Sequence, residues 1–170
     1  NRVLKLNSSG QQVGSPTGGF TKPTGICIDS NSAQTIFVTN EDADTISKFN
    51  TSFGAAVNIT RGTTGLGDLN TPSDCAIGKN SRLAVVARNS NKLYISTDNN
   101  YNNFQSVGGS GTGDTQLDGP SAVESFNFTG VGEGFSVLDR NNKRITFFDL
   151  ELTDGLYEAQ RQQTDKIIKK

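Results

Sequence analysis

The chain has 170 residues, long enough for one domain with a hydrophobic core. Only 32% of it is hydrophobic, with 19 Gly and many Asn, Ser and Thr, which favours short strands and tight turns over long amphipathic helices. The 16 basic and 17 acidic residues nearly cancel, so no basic field exists for nucleic acid, and no apolar run approaches the roughly 20 residues of a membrane span.

In chain order, Arg2-Val3-Leu4-Lys5-Leu6 already reads as a strand inside a fold. With no initiator Met and no Met anywhere, the chain is expected to be a processed product or part of something longer. A repeat then begins. An apolar residue, two spacers and a proline recur as Phe20-Thr21-Lys22-Pro23, Leu69-Asn70-Thr71-Pro72 and Leu117-Asp118-Gly119-Pro120. The prolines are 49 and 48 residues apart, a period close to the roughly 40 to 50 residues of a propeller blade.

After each proline comes a short apolar stretch, at residues 25–29, 74–78 and 122–126, read as an inner strand with the proline at its start. Second strands follow at 35–39, 82–87 and 134–138, and third strands at 45–49, 92–95 and 144–148. Residues 2–6 match a third strand. A short outer strand, such as residues 55–59, is expected before each Gly-rich connection at 14–19, 62–67 and 108–113. The last connection leads into Pro120 and lacks the Lys and helix start of a phosphate loop. Residues 1–150 therefore form repeated blades, with units starting near 20, 69 and 117. Residues 151–170 form a tail, a short helix or linker with Leu156, Ala159, Gln163 and Ile167 at helical spacing. Its lysines, Lys166, Lys169 and Lys170, read as a solvated end.

The third unit, Val137-Leu138-Asp139-Arg140-Asn141-Asn142-Lys143-Arg144-Ile145-Thr146-Phe147-Phe148, resembles the NHL signature of a strand ending in Asp, an Asn-rich turn and an Arg-Ile-aromatic strand. The first unit keeps the spacing with Asn40 in the Asp position. The second, Val86-Ala87-Arg88-Asn89-Ser90-Asn91-Lys92-Leu93, reads as one residue shorter and without the Asp. The resemblance implies an all-β, partial β-propeller of four-stranded antiparallel blades, half of a six-bladed ring. Two open blade faces would follow, to be met by further blades of a longer polypeptide or by self-association.

Among the chemical signals, the absence of histidine is the most informative. Serine-hydrolase triads and most zinc sites depend on imidazole. The resemblance extends to amidating lyases that use metal-bound histidines, and this chain offers none. The expectation is a protein that is not an enzyme and uses no cofactor or metal. The rival is a lactonase- or lyase-like propeller enzyme with a carboxylate or calcium site on the axis. Asn40-Glu41-Asp42-Ala43-Asp44 clusters oxygen donors as calcium requires, but without EF-hand spacing, and also reads as a polar turn.

Four N-x-[ST] sequons, at Asn7, Asn50, Asn58 and Asn127, point to a secreted or extracellular glycoprotein. Cys27 and Cys75 occupy corresponding strands of adjacent units, four and three residues after their prolines. They either form a disulfide across the blade interface or fill core space as thiols. Phe37, Phe49, Phe135, Phe147 and Phe148 read as core, whereas Tyr101 and Phe104, in an Asn-rich run, read as exposed contacts or outer-strand residues. The function expected is extracellular recognition or scaffolding, the partner another protein or a glycan.

Overall fold

Each of the three repeat prolines opens a strand in the computed structural model, which describes residues 1–15, 17–31, 34–128 and 132–149. The expected tail at 151–170 lies outside the described residues. The first blade is a sheet in the order β3 (Pro23–Asp29), β4 (Thr35–Asn40), β5 (Thr45–Asn50), β6 (Val57–Ile59). The second runs β7 (Pro72–Ile77), β8 (Leu83–Ala87), β9 (Lys92–Ser96), β10 (Phe104–Gly108). The third has β11 (Pro120–Phe128), β12 (Gly132–Asp139) and β13 (Arg144–Asp149). Before them, β1 (Arg2–Val3) pairs with β2 (Thr17–Gly18), so the first Gly-rich connection itself holds an outer strand. All pairings between these strands are antiparallel. The protein is all-β, a partial β-propeller.

The proline controls the strand entry. Having no N–H, it sits where no ladder donor is needed, and a register shift follows it in every blade, between Pro23 and Gly25, Pro72 and Asp74, and Pro120 and Ala122. The residue just before it is left-handed each time: Lys22 (φ 51°), Thr71 (φ 59°) and Gly119 (φ 59°). Only the third site uses glycine, so the first two carry strain on the order of 1 kcal/mol each. Backbone bonds hold them, Glu41 N–H to Lys22 O (3.1 Å) and Arg88 N–H to Thr71 O (2.9 Å).

The hairpins between second and third strands correct one sequence reading. Asn40 pairs with Thr45, Ala87 with Lys92 and Asp139 with Arg144, so all three turns have the same length. The second unit is not shortened; Ala87 simply replaces the polar residue. In the other units that residue is a fastener: Asn40 Oδ1 accepts from Thr21 N–H (3.3 Å) and Asp139 Oδ1 from Asp118 N–H (2.7 Å). In the second, Ser90 Oγ accepts the equivalent bond from Asn70 N–H (2.8 Å). The polar residue ending the second strand, Asn40 or Asp139, therefore ties the incoming connection to its blade.

Packing between blades forms the core. All five residues of β8 are buried because both its faces are covered. Leu83 and Val85 pack toward the first blade with Phe37, Tyr94 and Tyr101, while Ala84 and Val86 pack toward the third with Phe135, Val137 and Phe148. That explains why this strand is continuously apolar instead of alternating. A third cluster joins Val3 and Phe20 to Ile36, Val38 and Phe49 of the first blade. The outer surfaces are less covered: Ile26 and Ile28 are 54% and 55% exposed at one end, Ile145 and Phe147 61% and 47% at the other. Phe147, read as core, stands instead on the outer side of the third blade and packs edge-on against Phe126.

Candidate functional site

The turns at 41–44, 88–91 and 140–143 lie beside the connections entering each blade, and their charges interlock. Glu41, mostly buried, takes Lys22 at 3.0 Å and Arg88 at 3.1 Å, joining two blades. Asp44 takes Arg61 at 2.6 Å and the Thr71 N–H at 2.7 Å. Asp139, fully buried, takes Arg144 at 2.9 Å and the Asn142 amide at 2.8 Å. Asp68 pairs with Lys92 and accepts from the Tyr94 hydroxyl at 2.9 Å. The Lys92 bond, helped by Tyr94 and opposed by burial, holds the Asp68 carboxyl below the usual range, while burial pushes the Tyr94 phenol up. The donors of the 40–44 segment thus serve as structural acceptors. Among the described residues, no group of three or more His, Cys, Asp or Glu side chains converges as a metal site would require.

A different site lies at the outer edge of the first two blades. It is a groove of about 580 Å³ whose lining includes Lys48, Asn50, Val57, Asn99, Asn100 and Asn102, and, among the described residues, no carboxylate. One wall is the end of β5 and the edge of β6; the other is the loop of residues 98–103. Asp98 fixes that loop. Its carboxylate accepts from Asn100 N–H (3.0 Å), Asn102 N–H (3.2 Å) and the Asn103 amide (2.8 Å). Desolvation works against the Asp98 charge, yet the Asn103 amide and the backbone N–H groups prevail and hold its carboxyl low.

Tyr101 locks the same loop to the first blade. Its backbone is left-handed (φ 64°), its ring meets Phe37 edge-on at 4.7 Å, and its hydroxyl donates to Asp29 at 2.6 Å. Burial, then the Asp29 carboxylate, pushes the Tyr101 phenol up. Lys48 Nζ stands 5.4 Å from the ring centre and donates to Asn100 O at 3.5 Å. Tyr101 and Phe104, read as exposed contacts or outer-strand residues, are both buried, and Phe104 opens the outer strand β10. The exposed contact groups are the asparagines around Tyr101. The Asn-rich run was the signal for them, whereas Lys48, more than 50 positions earlier, left none in the sequence.

The four sequon asparagines are all exposed. Asn7 closes a turn, accepting from Ser9 N–H at 3.0 Å and Gln11 N–H at 2.9 Å. Asn50 accepts from Ser52 N–H (3.1 Å) at the rim of the groove, and Asn58, on the edge strand β6, accepts from Ser47 Oγ (2.8 Å). Asn127 donates to Glu133 at 3.0 Å in a second cleft of about 450 Å³, where Lys79 also meets Glu133 at 3.1 Å. The Thr129 of its sequon lies outside the described residues. Cys27 and Cys75 are joined by a disulfide across the first blade junction, with Cα atoms 5.8 Å apart.

By sequence the chain matches no family profile and no curated protein. Solved structures of similar fold include the selenomethionine-substituted virginiamycin B lyase of Staphylococcus aureus. That likeness covers 90% of this chain and 50% of the lyase, at 14% identity and a TM-score of 0.59. A chain in the crystal structure of a nidogen/laminin complex is matched over 85% of this chain and 56% of that one, at 10% identity and a TM-score of 0.54. The chain thus spans about half the length of these solved chains. At such identities the likeness concerns the propeller fold alone, and no helix among the described residues is long and apolar enough to cross a membrane.

Proposed function

We propose that the chain is a non-enzymatic recognition or scaffold module of a secreted glycoprotein, built from NHL-type blades, with a protein or glycan as partner. The observation that carries this reading is the disulfide between the first two blades, because such bonds persist in oxidising, extracellular compartments. Four exposed sequon asparagines agree with it. Recognition, in place of turnover, fits a surface whose preformed groove carries amides and an ammonium but, among the described residues, no acid–base pair. A nidogen/laminin complex among the structures of similar fold is consistent with a propeller that engages protein. The open outer faces of the first and third blades supply the scaffold half of the reading, through further blades or self-association.

The lyase of similar fold favours the second reading, an enzyme with a carboxylate or calcium site on the axis. It is weakened by the prior engagement of Glu41, Asp44, Asp68 and Asp139 in structural bonds.

The test is the intact mass of native material before and after glycosidase treatment, with and without reduction. Loss of carbohydrate mass and uptake of two hydrogens on reduction are expected. A bare, unbridged mass would overturn the extracellular reading. A polypeptide mass well above 18.1 kDa would place further blades in the same chain.

A further inference from the structure

The geometry points to the groove between β6 and the 98–103 loop as a saccharide-binding site, with an N-acetylhexosamine unit the best-matched ligand. This rests on the recognition reading above and names the ligand class for it. Four asparagines, Asn50, Asn99, Asn100 and Asn102, line the groove. Each amide offers two donors and an acceptor on one rigid plane, the pattern that bridges neighbouring sugar hydroxyls and pairs with an acetamido group. Lys48 adds a cationic donor, and its bond to Asn100 O leaves further N–H directions available. Val57, 63% exposed, supplies an apolar strip for the C–H face of a ring or an acetamido methyl.

The volume, about 580 Å³, is that of a small-molecule site. The lining argues against other ligands of that size. Among the described residues the groove is lined by no carboxylate, so it has no negative charge to neutralise a cation or a basic peptide and Lys48 opposes both, while a single lysine makes a poor phosphate cluster.

The loop is also ordered in advance. Asp98 takes three N–H donors from within the loop, and Tyr101 is held in a left-handed conformation by Phe37 and Asp29. Strain of this kind persists where the surroundings fix it. A fixed loop spares the ligand the ordering cost that weakens binding by flexible chains. Asn99, Asn100 and Asn102 sit on that fixed frame and are exposed.

Two sources could deliver the sugar. Asn50 begins a sequon and stands at the rim, so a glycan attached there would have its first residue beside the groove. A glycan of another molecule would enter from solvent. Both present the same chemistry.

The test uses the full disulfide-bonded chain secreted to a bacterial periplasm without glycosylation, isotope-labelled, and titrated with N,N′-diacetylchitobiose in heteronuclear NMR. Saturable shifts confined to residues 48–50, 57 and 97–103 are expected, with weaker ones for maltose. Asn100→Ala and Lys48→Ala should each weaken binding by about tenfold, roughly the worth of one lost hydrogen bond. Their thermal melts separate loss of ligand contacts from misfolding. No saturable shift, or shifts unchanged in both variants, would overturn the site, whatever the intact mass says about secretion. In a second arm, the glycosylated chain is compared with Ser52→Ala, which removes the sequon and keeps Asn50. Groove signals that differ between the glycosylated chain and Ser52→Ala identify the chain's own glycan as occupant. Signals that respond to added chitobiose alone identify an external one.

Discussion

The two blade junctions use the same backbone contact and different side chains. In both, the residue after the proline sends its hydroxyl to the proline carbonyl of the next blade: Thr24 to Pro72 O at 3.2 Å, Ser73 to Pro120 O at 3.0 Å. Beyond that point they diverge. The positions filled by Cys27 and Cys75 in the first junction hold Ala76 and Val123 in the second, both in its core. Gly25, two residues after its proline, is needed because a Cβ there would lie 2.7 Å from the Asp74 Cα. At the same repeat position Asp74 instead accepts the Val123 N–H at 3.1 Å, and burial raises its carboxyl above the ordinary range. The repeat thus fixes how blades approach, and each junction solves its own packing.

The second junction has no covalent tie and relies on Phe135, fully buried against Gly78, where a Cβ would meet the ring at 2.6 Å. Phe135→Ala should produce the largest loss, roughly 3–5 kcal/mol in urea unfolding. The double change Cys27→Ala with Cys75→Ala should cost somewhat less, about 2–4 kcal/mol, the usual worth of a bridge that closes a loop of this kind. Phe37, Tyr94 and Tyr101 still pack the first junction without it. If the cysteine variant lost more than the phenylalanine variant, the first junction would be a covalent joint and its aromatic packing secondary.

The contrast also separates what a sequence can disclose from what it cannot. The prolines, 49 and 48 residues apart, made the blades legible because they punctuate strand entry by local rules. The second hairpin reads as short in the sequence because Ala87 breaks the pattern while Ser90 takes over the bond, an exchange visible only in three dimensions. Burial of Tyr101 depends on Asp29, 72 residues away, so no local window could show it. The groove was half legible. Asn99, Asn100 and Asn102 cluster in sequence, but Lys48, Asn50 and Val57 reach them only through blade packing. Phe147 looked like core because a third strand between two blades would bury it, and no described blade covers that side.

The hydroxyl contact gives the smallest effects and the sharpest comparison. Ser73 is buried and also reaches Val86 O at 3.3 Å, so Ser73→Ala should cost about 1 kcal/mol. Thr24 is more exposed, and Thr24→Ala should cost about half as much, since water can replace the lost bond. Ser121 holds the same repeat position in the third blade, where the described residues provide no following proline. In the isolated chain Ser121→Ala should therefore stay within about 0.5 kcal/mol of the parent. If a further blade docks on that face, the same substitution should rise toward the Ser73 value, while Thr24→Ala and Ser73→Ala keep theirs. A Ser121→Ala loss as large as that of Ser73→Ala in the isolated chain would break the comparison, because the hydroxyl would then be acting within its own blade.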